Sequence, residues 1–144
     1  MISIGAVAIA LSQYFIAKHK LRLDLYNRRF KIYELTNAVY QNLSGTKESL
    51  DSPEHQILMR EFIRSIRESQ FLFKKSSKIY PILEAILEDA FKVSGFKDIA
   101  RDLSSDPQTY IAEFNTSQST YLNLNNKILE LENALTPYLN FQKL

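Results

Sequence analysis

Two histidines, a run of neighbouring carboxylates and two sets of basic residues are the side chains from which this sequence could build chemistry. Glu84 and Glu88 stand four apart, so a helix would place them on one face, with Asp89 adjacent. Paired carboxylates do general acid–base work only where a cleft shifts their pKa values; without one they form a solvated helix face. His19 lies between Lys18 and Lys20, and His55 falls in what should be the first turn of a helix. Neither belongs to HExxH or to the Glu-x-x-His pairs of di-iron bundles, so neither a metal nor a cofactor is expected. Cysteine is absent, which removes thiolate zinc sites, disulfides and thiol nucleophiles. No GxxxxGK[ST], GxGxxG or nucleophilic-serine motif occurs, and no catalytic activity is expected.

The two basic sets differ in their surroundings. Arg60, Arg64 and Arg67 would share a helical face, but Glu61 and Glu68 offset them and Arg64 pairs with Glu68 at i,i+4. That pattern reads as a solvated face, so a nucleic-acid partner is not expected. Lys18, Lys20, Arg22, Arg28, Arg29 and Lys31 stand against Asp24 alone and follow directly on an apolar stretch. The chain's net charge of +2 therefore hides a basic segment and an acidic remainder. Beside an anionic leaflet each such cation contributes about 1 kcal/mol. These six residues are the expected membrane-surface contact.

The apolar stretch is Met1–Ala17, MISIGAVAIALSQYFIA, with Ser3, Ser12 and Gln13 as its strongly polar side chains. As a helix it would be roughly 25 Å long, a little short of a ~30 Å hydrocarbon core. Lys18 and Lys20 can extend it by snorkelling, and Tyr14 and Phe15 suit the boundary. A cleavable signal peptide should begin with a basic region, and none precedes the stretch. The expectation is a transmembrane anchor over residues 1–17 and a cytoplasmic helical domain over 18–144, because the positive residues follow the span. An apolar run this short also suits a buried first helix of a soluble bundle. Ala6 and Ala10, and Ala8 and Ser12, are spaced to let two such helices approach closely in lipid.

Three glycines and four prolines in 144 residues favour long helices in one domain. From Lys18 to about Leu43 the apolar residues Leu21, Leu25, Ile32, Val39 and Leu43 recur at helical spacing, so anchor and domain should share one helix. Asp24 is placed to pair with Lys20 or Arg28. Ser44-Gly45-Thr46 should end it. Ser52-Pro53 predicts a capped second helix to about Gln70, and Phe71-Leu72-Phe73 an apolar knot. A third helix should run from Ser77 to Val93, with Pro81 in its first turn and Ser94-Gly95 as its stop. Asp106-Pro107 opens the last helix. Its seam, Tyr110, Phe114, Ser117, Tyr121, Leu124, Ile128, Leu131 and Leu135, suits packing on another long helix of the same chain or of a second copy. Asn115–Thr120 should loosen or kink it, Thr136-Pro137 should stop it, and residues 138–141 should dock back as a tail.

Lys20-Leu21-Arg22-Leu23-Asp24-Leu25-Tyr26-Asn27-Arg28-Arg29-Phe30-Lys31-Ile32-Tyr33 resembles a KxRLDLFxxRFxVY motif that follows an N-terminal hydrophobic helix in a family of small bacterial membrane proteins. Phe71-Leu72-Phe73 resembles that family's FLF segment, and Pro137-Tyr138-Leu139 its terminal PYL; Pro81 departs from the pattern. The resemblance covers nearly the whole chain. It implies bacterial origin and an anchored helical architecture, and it brings no activity with it. The expected fold is all-α: an N-terminal transmembrane helix continuing into a bundle of about four helices. The expected role is a membrane-tethered interaction module, or else an effector that oligomerises through its anchor and permeabilises the bilayer. The expected partners are membrane lipid, a cytoplasmic protein and a second copy. The expected place is the bacterial inner membrane, crossed once with the C-terminal domain in the cytoplasm.

Overall fold

No proline occurs before Pro53, and between Gly5 and Gly45 there is no glycine, so nothing in the backbone chemistry interrupts a helix there. The computed structural model describes residues 4–45, 52–100 and 102–140, and its first element, α1, spans Ile4–Ser44, 41 residues without a break. From Ile4 on, the apolar stretch and the basic segment are thus one helix, ended at Gly45. Thr46 lies outside the described residues.

The second helix, α2, spans Pro53–Leu72; the Ser52 side chain accepts from the His55 backbone N–H at 3.1 Å, the expected cap with proline at the first helical position. A link with one 3-10 turn, Lys75–Ser77, leads into α3, Ile79–Ile99. Pro81 is third in α3, where its missing N–H costs no intrahelical bond. A second 3-10 turn, Asp102–Ser105, precedes α4, Pro107–Leu139. There Asp106 accepts from the Thr109 backbone N–H at 3.4 Å and from its hydroxyl at 2.6 Å.

Three expected boundaries are corrected. The third helix passes through Ser94-Gly95 to Ile99, because no positive-φ turn is called for at Gly95 and an interior glycine costs only about 1 kcal/mol. The last helix passes through Pro137 and stops two residues later. Asn115–Thr120 is regular helix: the Thr116 hydroxyl donates to Ala112 O and the Thr120 hydroxyl to Thr116 O, so polar groups that could have competed with the backbone are returned to it.

The helices run up, down, up and down. Asn42 meets His55 at one end of the α1–α2 pair and Arg29 meets Leu72 at the other. Likewise α4 is antiparallel to α1, through Tyr40 stacked on Tyr121 and Tyr33 bonded to Glu132. It is also antiparallel to α3, through Asp89–Lys127 and Phe96–Phe114. The core includes Ile32, Leu35, Val39 and Leu43 of α1, Met59, Phe62 and Ile66 of α2, Ile79, Leu83, Ile86 and Ala90 of α3, and Leu124, Ile128, Leu131 and Leu135 of α4. The second half of the α4 seam is therefore spent within the chain. Its first half, from Tyr110 and Phe114, remains partly open.

Every core residue of α1 lies at or after Ile32, and residues 5–24 are all exposed. A buried first helix within the single chain is excluded: the apolar half of α1 projects beyond the bundle. Among the described residues, no helix is long and apolar enough to cross a membrane.

Candidate functional site

The projecting arm is the least self-satisfied part of the molecule. Val7, Ile9, Leu11, Tyr14, Phe15, Ile16, Leu21 and Leu23 are between 50% and 70% exposed. An apolar surface of this extent on one segment marks a place of interaction, since isolated soluble domains avoid it. Tyr14 and Phe15 meet edge to face at 5.8 Å, and the Lys18 ammonium lies 6.0 Å from the Tyr14 ring centre.

The six basic residues of this helix have three different settings. Lys18, Lys20 and Arg22 stand exposed at the foot of the arm. Arg28 donates to Asp24 at 3.1 Å and Lys31 lies 3.8 Å from Glu34; both pairs are surface pairs with little net energy. Arg29 is turned into the bundle. Its Nε and Nη2 both donate to Leu72 O, at 3.1 and 3.0 Å, at the carbonyl end of α2 where a cation is favoured. The guanidinium also lies 5.5 Å from the Phe73 ring and 5.1 Å from the Tyr138 ring, and these two rings meet edge to face at 5.1 Å. Burial lowers the Arg29 pKa from its usual value, partly opposed by the Tyr138 hydroxyl.

This cluster joins the three separated sequence patches, the Arg29 motif, Phe71-Leu72-Phe73 and Pro137-Tyr138-Leu139, at one end of the bundle. Sequence spacing gave no sign of it, because a residue in a basic run carries no mark of where its head group goes. The apolar knot is divided: Phe73 is buried, Leu72 half-buried, and Phe71 is 89% exposed. The expected separate tail is corrected in its described part: Tyr138 and Leu139 pack on the core as the last turn of α4, while Phe141 lies outside the described residues.

The other candidate residues do not converge. Asp89 is on the buried side of α3, where its carboxylate accepts from Lys127 Nζ at 2.6 Å and from Asn123 Nδ2 at 3.3 Å. Glu84 and Glu88 face outward. Glu84 accepts from the Tyr80 hydroxyl, which raises the Tyr80 pKa, and Glu88 pairs with Lys92 at 2.8 Å, a hydrogen bond that holds the carboxyl below the usual carboxylate range. His55 is buried with its Nδ1 against Asn42 Oδ1, a contact that ties α2 to α1, and His19 is exposed. Arg64 pairs with Glu68 at 3.0 Å and Arg60 donates to its own helix at Gln56 O. No group of three or more metal-ligating side chains gathers among the described residues.

Two open grooves flank Phe30. One, of about 640 Å³, lies between α1 and α2 with Arg28, Lys31 and Arg64 interleaved with Glu34, Glu61 and Glu68. The other, of about 480 Å³, lies between α1 and α4 and is lined by Tyr33, Glu132 and Leu139. Charges of alternating sign suit a protein surface better than a small ion. Compared with protein-family models, curated proteins and solved structures, the chain matches none of them.

Proposed function

We propose that this chain is a non-catalytic helical module tethered to the bacterial inner membrane by the arm of α1, which presents its four-helix bundle to a protein partner in the cytoplasm. The observation that carries the reading is the arm itself: an apolar helix exposed on every side, in unbroken continuity with a packed bundle. Ile4–Ala17 alone is about 21 Å long as a helix, against a ~30 Å hydrocarbon core. An anchor of that length relies on snorkelling Lys18 and Lys20 and on local thinning of the bilayer, each a modest cost. The exposed Lys18, Lys20 and Arg22 supply the charge that keeps the bundle cytoplasmic. The resemblance to small bacterial membrane proteins agrees with this arrangement.

A cytoplasm-dependent reporter fused after Leu144 should be active and a periplasm-dependent one silent, with the fusion protein remaining in the membrane fraction after alkaline washing. Recovery of the full chain in the soluble fraction would remove the tether. Loss of membrane potential on induced expression would replace the interaction module by a permeabilising effector.

A further inference from the structure

We infer a second lipid contact in the link between α2 and α3: Lys74, Lys75 and Lys78, with Phe71 beside them, form a cationic foot that rests on the anionic headgroups around the arm. The inference depends on the tethered reading and adds a surface that reading does not use.

The placement follows from the topology. Because α2 is antiparallel to α1, its C-terminus and the following link face the same end as the arm, and the Arg29–Leu72 bonds fix the height. Lys18 marks the edge of the hydrocarbon, and Arg29 is eleven residues further on, about 16 Å along the axis. Headgroups occupy the first ~5–7 Å of that distance. A helix tilt of ~20°, ordinary for a single span, brings the link a few ångströms closer. The lysines then sit within a Debye length, ~8 Å at physiological salt, of the lipid charge.

The chemistry fits an anionic surface. Lys74, Lys75 and Lys78 are all exposed, and none takes part in an ion pair among the described residues. No acidic residue occurs between Glu68 and Glu84. Among the described residues, Lys78 is the one non-glycine residue at positive φ, 59°, a conformation that favours glycine; a lysine stands there and makes no side-chain capping bond. Phe71, at the same end, leaves an exposed apolar ring facing the outer side of the headgroup layer. At the surface a lysine shifts such an equilibrium about fivefold, and about twofold at this distance, so the three together favour the lipid-resting orientation by about fivefold to tenfold.

The chain lacks cysteine, so single labels are clean. The full chain carrying Ser76→Cys with an environment-sensitive fluorophore is reconstituted in phosphatidylcholine vesicles with or without phosphatidylglycerol, and quenching by lipid-borne quenchers is read. Quenching is expected to rise with phosphatidylglycerol and to return to the neutral-lipid level at high salt or in Lys74→Gln/Lys75→Gln/Lys78→Gln. A Ser12→Cys label on the arm reports the tether separately. If Ser12 is not quenched in any vesicle, the tether itself fails and the foot with it. Quenching at Ser12 with no anionic dependence at Ser76 overturns the foot alone. A Ser76 response to duplex DNA but not to anionic vesicles also overturns it, making the patch a nucleic-acid contact.

Discussion

Replacing Arg29 by alanine should loosen one whole end of the bundle. The substitution removes two charge-assisted hydrogen bonds to Leu72 O, leaves that carbonyl without this donor, and empties the space between Phe73 and Tyr138. The side chain is only partly buried, so the low end of each range applies: about 1.5 kcal/mol for the bonds and about 0.5 kcal/mol for each cation–π contact. The expected loss is about 2–3 kcal/mol, and for a chain of this size about 6–10 °C in Tm. Circular dichroism melts of the full chain in mild detergent measure it. Arg29→Lys should recover less than half, since an ammonium keeps the charge but loses the planar fork. The neighbouring Arg28→Ala, which breaks only the exposed pair with Asp24, should cost under about 0.5 kcal/mol. If Arg29→Ala proves as mild as Arg28→Ala, the argument that this cluster holds the bundle end together is wrong.

Lys127→Met should destabilise by about 2–4 kcal/mol, because it leaves the Asp89 carboxylate, 6% exposed, with Asn123 as its remaining partner. Adding Asp89→Leu should restore most of the loss in the same melts, and a double variant no more stable than Lys127→Met would contradict the desolvation argument. Deleting residues 1–17 should abolish membrane association yet leave a cooperative helical melt within about 1 kcal/mol of the parent, since the arm makes no core contact. Asp106 is held below the usual carboxylate value by its bonds to Thr109, so its contribution is complete above about pH 4 and is lost as pH falls through the lowered folded value. Asp106→Asn should therefore lower the neutral plateau of a stability–pH curve and flatten its acid limb, the variant and parent curves converging at low pH.

Local chemistry was legible where it acts on adjacent residues. Ser52-Pro53 and Asp106-Pro107 announce helix starts because a side-chain acceptor three residues upstream and a missing N–H are sufficient in themselves. Stops were less legible. Gly95 and Pro137 are permitted breaks, and nothing tertiary called on them, since the packing of Phe96 on α4 and of Tyr138 on the core continues the helical register. The heptad seam of α4 gave its buried half correctly, but spacing alone did not show that α1 ends near Tyr121 and leaves Tyr110 and Phe114 partly uncovered. The Arg29 cluster and the Asp89–Lys127 pair join residues 38 to 109 positions apart, and one sequence holds no trace of such distances. The exposed arm was legible as apolar, and the structure adds that the chain does not cover it.

The unbroken course of α1 has a mechanical consequence. With no proline or interior glycine after Gly5, arm and bundle have no hinge between them, and the helix acts as a stiff lever. Ser44 lies about 39 Å from Lys18 along its axis, so a change of ~10° in tilt carries the far end of the bundle sideways by about 7 Å. A tethered chain of this design would convert bilayer thickness into the lateral position of its partner-facing surface, and the phase of the helix would fix which groove beside Phe30 leads.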